Sequence, residues 1–237
     1  MKYYLGGYYL MQIQPIEFGS EKNQRVLTCS TCINNSLFDS WSFSWATTFK
    51  RDLKKVKQDY LIDEEAINSI RLWVDSNFDG EPKNVGWPNV FSTIQAAKTY
   101  HKVYFSHLRD IKLFALYFNE SEATALIEEF KPTFENQGLI GLVDTLQNRI
   151  VEDQSINQQI VGYDLIGVEI GGDFHTFHCH TNEVDLITMF KLEMNEYGLF
   201  EENENLSNAL NYMNDEDNGF EPVPWFLVKV KALCELA

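Results

Sequence analysis

The chain has 237 residues, 44% of them hydrophobic and 14% aromatic, a composition that excludes disorder and suffices for a buried core. Nineteen Lys and Arg against 35 Asp and Glu give a net charge of −16, which argues against ordinary phosphate-backbone binding because that runs on clustered cations. The excess is one-sided: residues 1–120 carry 14 basic and 13 acidic side chains (+1), whereas residues 121–237 carry 5 and 22 (−17).

In chain order, residues 3–18 mix aromatic and aliphatic side chains around Gly6 and Gly7, the pattern of a strand or bent pair of strands with a bulge, limited by Pro15. Residues 19–36 are turn-rich, and Trp41, Phe43 and Trp45 alternate with serine as in a half-buried strand. Arg51, Lys54, Lys55 and Lys57 form the one basic cluster. A helix is expected from Asp63 to about Asn77, with Ile67, Ile70, Trp73 and Val74 on its buried stripe, and a second from Trp87-Pro88 to about His101, carrying Val90, Phe91 and Ile94 inward. Residues 103–105 and, strongly, 111–118 read as strands. Asn119 followed by Glu122 predicts a capped helix through Phe130, and residues 139–150 predict another.

Residues 161–170 alternate, Gly171-Gly172-Asp173 supplies turn chemistry, and residues 174–180 alternate again, which predicts a β-hairpin. Asn182 is the expected cap of a following helix, with Leu186, Ile187, Phe190 and Met194 on one face and Gly198 as its stop. A short helix over residues 206–213 lies between two acidic loops, and the apolar run WFLVKVKAL at 225–233 closes the chain as a strand. No period repeats, and elements alternate irregularly with sequential strands close enough for hairpins. The expected fold is α+β: one domain over residues 1–237 with helices packed on a mostly antiparallel or mixed sheet, within which an N-terminal lobe at 1–120 and an acidic C-terminal lobe at 121–237 have room to form.

The tyrosine-rich start lacks the features of a secretory signal, and no run approaches the ~20 apolar residues that span a bilayer. Four cysteines do not make a disulfide framework at this length, so a cytoplasmic protein with reduced thiols is expected. Cys29 and Cys32 form a CxxC that could join His175, His178, Cys179 or His180 at a zinc ion. In an extended strand, however, His178 and His180 share one face while His175 and Cys179 share the other, so imidazoles buried for packing are the leading reading and no cofactor is assigned. No nucleophile elbow and no phosphate-binding glycine loop is present, and the paired carboxylates occur as solvated runs. No catalytic residue is therefore assigned, and the chain is read as a non-enzyme.

GYDLIGVEI at 162–170, FHTFHCH at 174–180 and NEYGLF at 195–200 together resemble immunity proteins encoded beside bacterial polymorphic toxins, over about forty residues. The resemblance implies a small acidic cytoplasmic α+β protein that binds a cognate toxin, commonly a nuclease, without catalysis of its own, and it implies no universal functional residues. Charge asymmetry leads independently to a basic protein partner. Glu201, Glu202, Glu204, Asp215, Glu216 and Asp217, with Tyr197, Phe200, Tyr212 and Phe220 as apolar anchors, are the expected binding face. A phage-encoded inhibitor of a bacterial defence system and a zinc-dependent enzyme are the alternatives; neither a membrane nor nucleic acid is an expected partner.

Overall fold

The computed structural model describes residues 2–12, 16–18, 21–24, 50–78, 84–86, 90–131, 141–152, 158–169, 174–179 and 183–233. In order these form β1 (Tyr3–Gln12), β2 (Ile16–Phe18), β3 (Glu21–Gln24), α1 (Lys50–Tyr60), α2 (Glu64–Phe78), β4 (Val85–Gly86), β5 (Val90–Phe91) and α3 (Ile94–Tyr100). There follow β6 (Ile111–Asn119), α4 (Glu120–Glu129), α5 (Gly141–Gln147), β7 (Gln158–Val168), β8 (Phe174–Thr176), α6 (Glu183–Phe190), α7 (Leu206–Met213) and β9 (Trp225–Leu233). Seven strands make one curled sheet in the order β4-β5-β1-β6-β9-β7-β8, with β2 and β3 as a separate hairpin, and every described pairing is antiparallel. The molecule is a single α+β domain, as the alternation predicts.

Both faces of this sheet are covered, which is why its central strands read as near-continuous apolar runs. Tyr9, Met11, Phe114, Leu116, Val228 and Val230 point to one face, where Ala123 and Leu126 of α4 and Leu142, Val143 and Leu146 of α5 complete a core. The opposite face carries two cores instead of one. Leu5, Tyr8, Leu10, Leu113, Ala115 and Tyr117 meet α1, α2 and α3 at its β1–β6 side. Tyr163, Leu165 and Trp225 meet α6 and α7 at its β7–β9 side. The bulge anticipated at the glycines is present, since the β1–β6 register shifts between Leu5 and Gly7.

Helix starts follow side-chain chemistry. Asp63 accepts from the Ala66 N–H at 2.8 Å ahead of α2, and Asn119 accepts from the Glu122 N–H at 3.0 Å ahead of α4. The second pair is half a capping box: Glu122 does not reach back, and its carboxylate accepts from the Leu227 N–H of β9 at 3.1 Å.

Four local expectations are corrected. Val90 and Phe91 are strand, pairing with Gly86, Val85 and Tyr8, and the helix begins only after Thr93, whose hydroxyl accepts from the Ala96 N–H. Residues His101–Phe105 continue α3 as a π-helical turn, which buries Phe105 against Tyr60 and Tyr100 and leaves Val103 in solvent; a strand would have sent both to one side. β8 stops at Thr176 and Phe177–Cys179 turn as a 3-10 helix, so strand parity does not extend to His178. Finally, α6 ends at Phe190, not near Gly198, because Lys191 turns left-handed (φ 51°) and the chain leaves to pair with β7. The basic cluster lies on α1, where Lys57 pairs with Glu64 at 3.3 Å. The alternating Trp41, Phe43 and Trp45, the CxxC, the Trp87-Pro88 dipeptide, the cap at Asn182 and the Gly171-Gly172-Asp173 turn lie outside the described residues.

Candidate interaction face

The acidic stretch after α6 is held as a tight hairpin on the open edge of β7. Phe200 and Tyr163 exchange both backbone hydrogen bonds, at 2.8 and 2.9 Å. Within the hairpin, Asn195 N–H reaches Leu199 O at 2.8 Å and Glu201 N–H reaches Glu193 O at 2.9 Å. Asn195 organises the turn: its amide nitrogen donates to Val161 O at 2.6 Å, while its oxygen accepts from the Tyr197 and Leu199 N–H groups at 2.9 and 3.2 Å. Gly198 occupies the left-handed region (φ 74°) that this turn demands. Buried His178 donates from Nε2 to Gly198 O at 2.7 Å and so braces the hairpin from beneath. Gly162 permits the close approach, since a Cβ there would lie 2.6 Å from Leu199 Cβ.

On this frame the ten predicted interaction residues divide. Glu201, Glu202 and Glu204 lie exposed before α7, and Asp215, Glu216 and Asp217 lie exposed after it. The helix between them has eight residues, so the two acidic segments stand ~12 Å apart along one axis. Glu201, Glu204, Glu216 and Asp217 have no side-chain partner among the described residues, whereas Asp215 caps a 3-10 turn by accepting from the Asp217 N–H at 3.1 Å. Glu202 lies beside the Tyr163 hydroxyl. Asp185, Glu193, Glu196 and Glu221 extend the acidic surface, and over described residues 183–233 Lys191 is the one exposed cation.

The aromatic expectation is corrected at Phe200, which is 1% exposed and packs edge-on to Phe177 with ring centres 4.9 Å apart; it is core, because backbone pairing to β7 turns it inward. Tyr212 and Phe220 keep exposed edges in an aromatic row running Phe190, Tyr212, Phe220, Trp225 at centre spacings of 5.5, 6.1 and 6.2 Å. Half-buried Tyr197 lines a cleft of about 250 Å³ between the hairpin and the ends of β6, β7 and β9. Phe114, Val161 and Ala232 give this cleft an apolar floor, and Glu196, Glu201, Gln159 and Lys112 give it polar walls.

A buried polar seam lies behind the face. Lys229 and Lys231 share the parity of Trp225 and Leu227 on β9, but sit where the two cores of that face meet; Lys229 pairs in register with Tyr117 of one and Tyr163 of the other. Both lysines are buried, at 7% and 5% exposure. Glu152 neutralises them together, with Oε2 3.2 Å from Lys229 Nζ and Oε1 against Lys231 Nζ. Burial would raise the Glu152 pKa, but hydrogen bonds from Lys231 and Lys229, with their charge, outweigh it and hold that carboxyl below its ordinary value. Lys229 Nζ also stands 3.3 Å from the centre of the Tyr3 ring. The Tyr3 and Tyr163 hydroxyls are hydrogen-bonded, and burial, with Tyr3 and Glu202 beside it, pushes the Tyr163 phenol well up. Sequence reading missed this seam: a Lys-x-Lys in a terminal strand reads as a solvated edge, and the only signal against that was the parity shared with Trp225.

His175 contacts Glu169 Oε1 at 3.0 Å through Nε2, and His178 is committed to Gly198, so the two imidazoles serve different partners. Among the described residues no group of three His, Cys, Asp or Glu is placed to hold a metal; Cys29, Cys32 and His180 lie outside them. No helix of the described residues is long and apolar enough to cross a membrane. Comparison with family models, curated proteins and solved structures finds no match for this chain.

Proposed function

We propose that this is a non-catalytic binding protein that neutralises a basic protein partner, a toxin domain such as a nuclease, by laying an acidic face over the surface that would hold phosphates. The observation that carries the reading is the surface made by the described side chains of residues 183–233: ten exposed carboxylates against one exposed lysine, set around a hydrogen-bonded hairpin and a short helix. Such a face accelerates encounter with a cationic partner and competes for the groups that bind nucleic acid. The retained charge at the end of α7 supports it. Asp215, Glu216 and Asp217 crowd a helix C-terminus with no basic residue in its last turn, an arrangement the helix dipole disfavours and a cationic partner would relieve.

The test is co-expression with a basic nuclease toxin domain chosen from the genes that flank this one. Growth should be restored by the wild type and not by a variant carrying Glu201→Lys, Glu204→Lys, Glu216→Lys and Asp217→Lys that retains its thermal midpoint. Protection by that variant equal to the wild type, or no complex between the two purified proteins at low salt, would overturn the reading.

A further inference from the structure

The cleft beside the hairpin has a shape and lining that suit one kind of group. At about 250 Å³ it falls below the ~300–1,000 Å³ of pockets that take whole small molecules, and is the size for a single long side chain. Its floor of Phe114, Val161 and Ala232 suits a methylene stem, and half-buried Tyr197 lines the same cleft. Glu196 and Glu201 supply two carboxylates against the single charge of exposed Lys112, and none of the three has a side-chain partner among the described residues. The backbone that carries both carboxylates is held in place, because Asn195 fixes the turn between them through three hydrogen bonds.

We infer that this cleft receives an arginine or lysine side chain of the partner, its stem on the apolar floor and its charged head between Glu196 and Glu201. The inference rests on the acidic-face reading above and adds to it the point at which the partner is anchored. Glu196 was not among the residues expected from sequence, since it lies before the acidic runs; only the hairpin brings it to Glu201.

The experiment titrates the isotope-labelled full chain with a blocked Gly-Arg-Gly peptide, and in parallel with blocked Gly-norleucine-Gly, following backbone amide shifts at low salt. Saturable shifts confined to residues 159–161 and 195–201 with the arginine peptide, absent with norleucine and weakened roughly tenfold in Glu196→Gln/Glu201→Gln, are the expected result. Unmoved cleft amides, equal binding of the norleucine peptide, or unchanged affinity in the double variant would overturn it. The two readings fail separately. If the cleft is silent while charge reversal at Glu204, Glu216 and Asp217 still abolishes protection, the anchor is wrong and the face stands; if charge reversal also has no effect, the face falls.

Discussion

Replacing Glu152 by alanine leaves Lys229 and Lys231 as two ammonium groups, 7% and 5% exposed, with no counter-charge between them. Breaking a buried ion pair by removing one partner costs about 3–5 kcal/mol, and here a single carboxylate serves two cations, which puts the expectation at the upper end of that range. Against a total stability of roughly 5–15 kcal/mol this is a large share. With an m-value of about 2–3 kcal/mol/M, the urea midpoint should fall by about 1.5–2.5 M with m unchanged. The double replacement Lys229→Met/Lys231→Met in the Glu152→Ala background should recover most of the loss, because apolar side chains of similar length remove the orphaned charges and keep the volume. The pH dependence has a fixed sign. Glu152 titrates below its ordinary value of 4.5, so its contribution is fully present above about pH 4.5 and is lost as pH falls through the depressed folded value. Glu152→Gln should lack that acid-dependent component. A loss below about 1 kcal/mol in Glu152→Ala, the worth of an exposed pair, would show that the seam is open to water and refute the reasoning.

Glu122 is the opposite case: burial raises its pKa and the Leu227 N–H only partly offsets this, so its charged form weakens the fold as pH rises through the raised value. Glu122→Gln keeps an acceptor for that N–H and should be neutral or slightly stabilising at pH 7 in thermal melts, while Glu122→Ala should cost about 1–3 kcal/mol. Gly162→Ala forces a Cβ to within 2.6 Å of Leu199 Cβ and 3.0 Å of Phe200 O, and should cost about 1–3 kcal/mol by denaturant unfolding, with the largest amide shifts over residues 195–200. Glu216→Lys and Asp217→Lys together, which spare the Asp215 cap, should leave the thermal midpoint unchanged or raise it, by improving the helix C-terminus, yet slow association with a basic partner severalfold at low salt in stopped-flow mixing.

What could be read from the sequence is what local chemistry decides. The strand at Ile111–Asn119, the cap at Asn119, the helix Leu206–Met213, the strand Trp225–Leu233 and the antiparallel pairing of β7 with β8 all follow from alternation, helical spacing and capping chemistry. Long-range partners decided the rest. Met194 has helical spacing from Phe190, but the edge of β7 offers residues 193–201 backbone pairing that a longer helix would forgo, and that pairing buries Phe200. Val103 and Phe105 have strand spacing, but a π-helical turn sends only Phe105 inward. The acidic segments of the candidate face were visible as composition; the cleft was not, because Lys112, Gln159 and Glu196 come from three separate segments.

The seam and the acidic face are linked by charge. Residues 121–237 contain only five cations, and the fold takes two of them, Lys229 and Lys231, into its interior against a single carboxylate. Glu152 and the equally buried Asp164 balance the two lysines inside, so the outer surface of this half keeps the negative excess of its composition with almost no cation left to screen it. A stability argument alone does not favour this arrangement: apolar residues at 229 and 231 would join the two flanking cores without desolvating charge. The tyrosines give the lysines a second use. Lys229 lies against Tyr3, Tyr3 is hydrogen-bonded to Tyr163, and Glu202, at the edge of the acidic face, lies beside the Tyr163 hydroxyl. That chain ties the seam to the loop before α7, so a perturbation of Lys229 should reach the amide of Glu202 even where stability is preserved. Lys229→Met paired with Glu152→Gln, read by amide shifts at 200–204, separates this coupling from simple core packing: shifts confined to β9 and its neighbours would mean that the seam holds the two cores together and has no influence on the face.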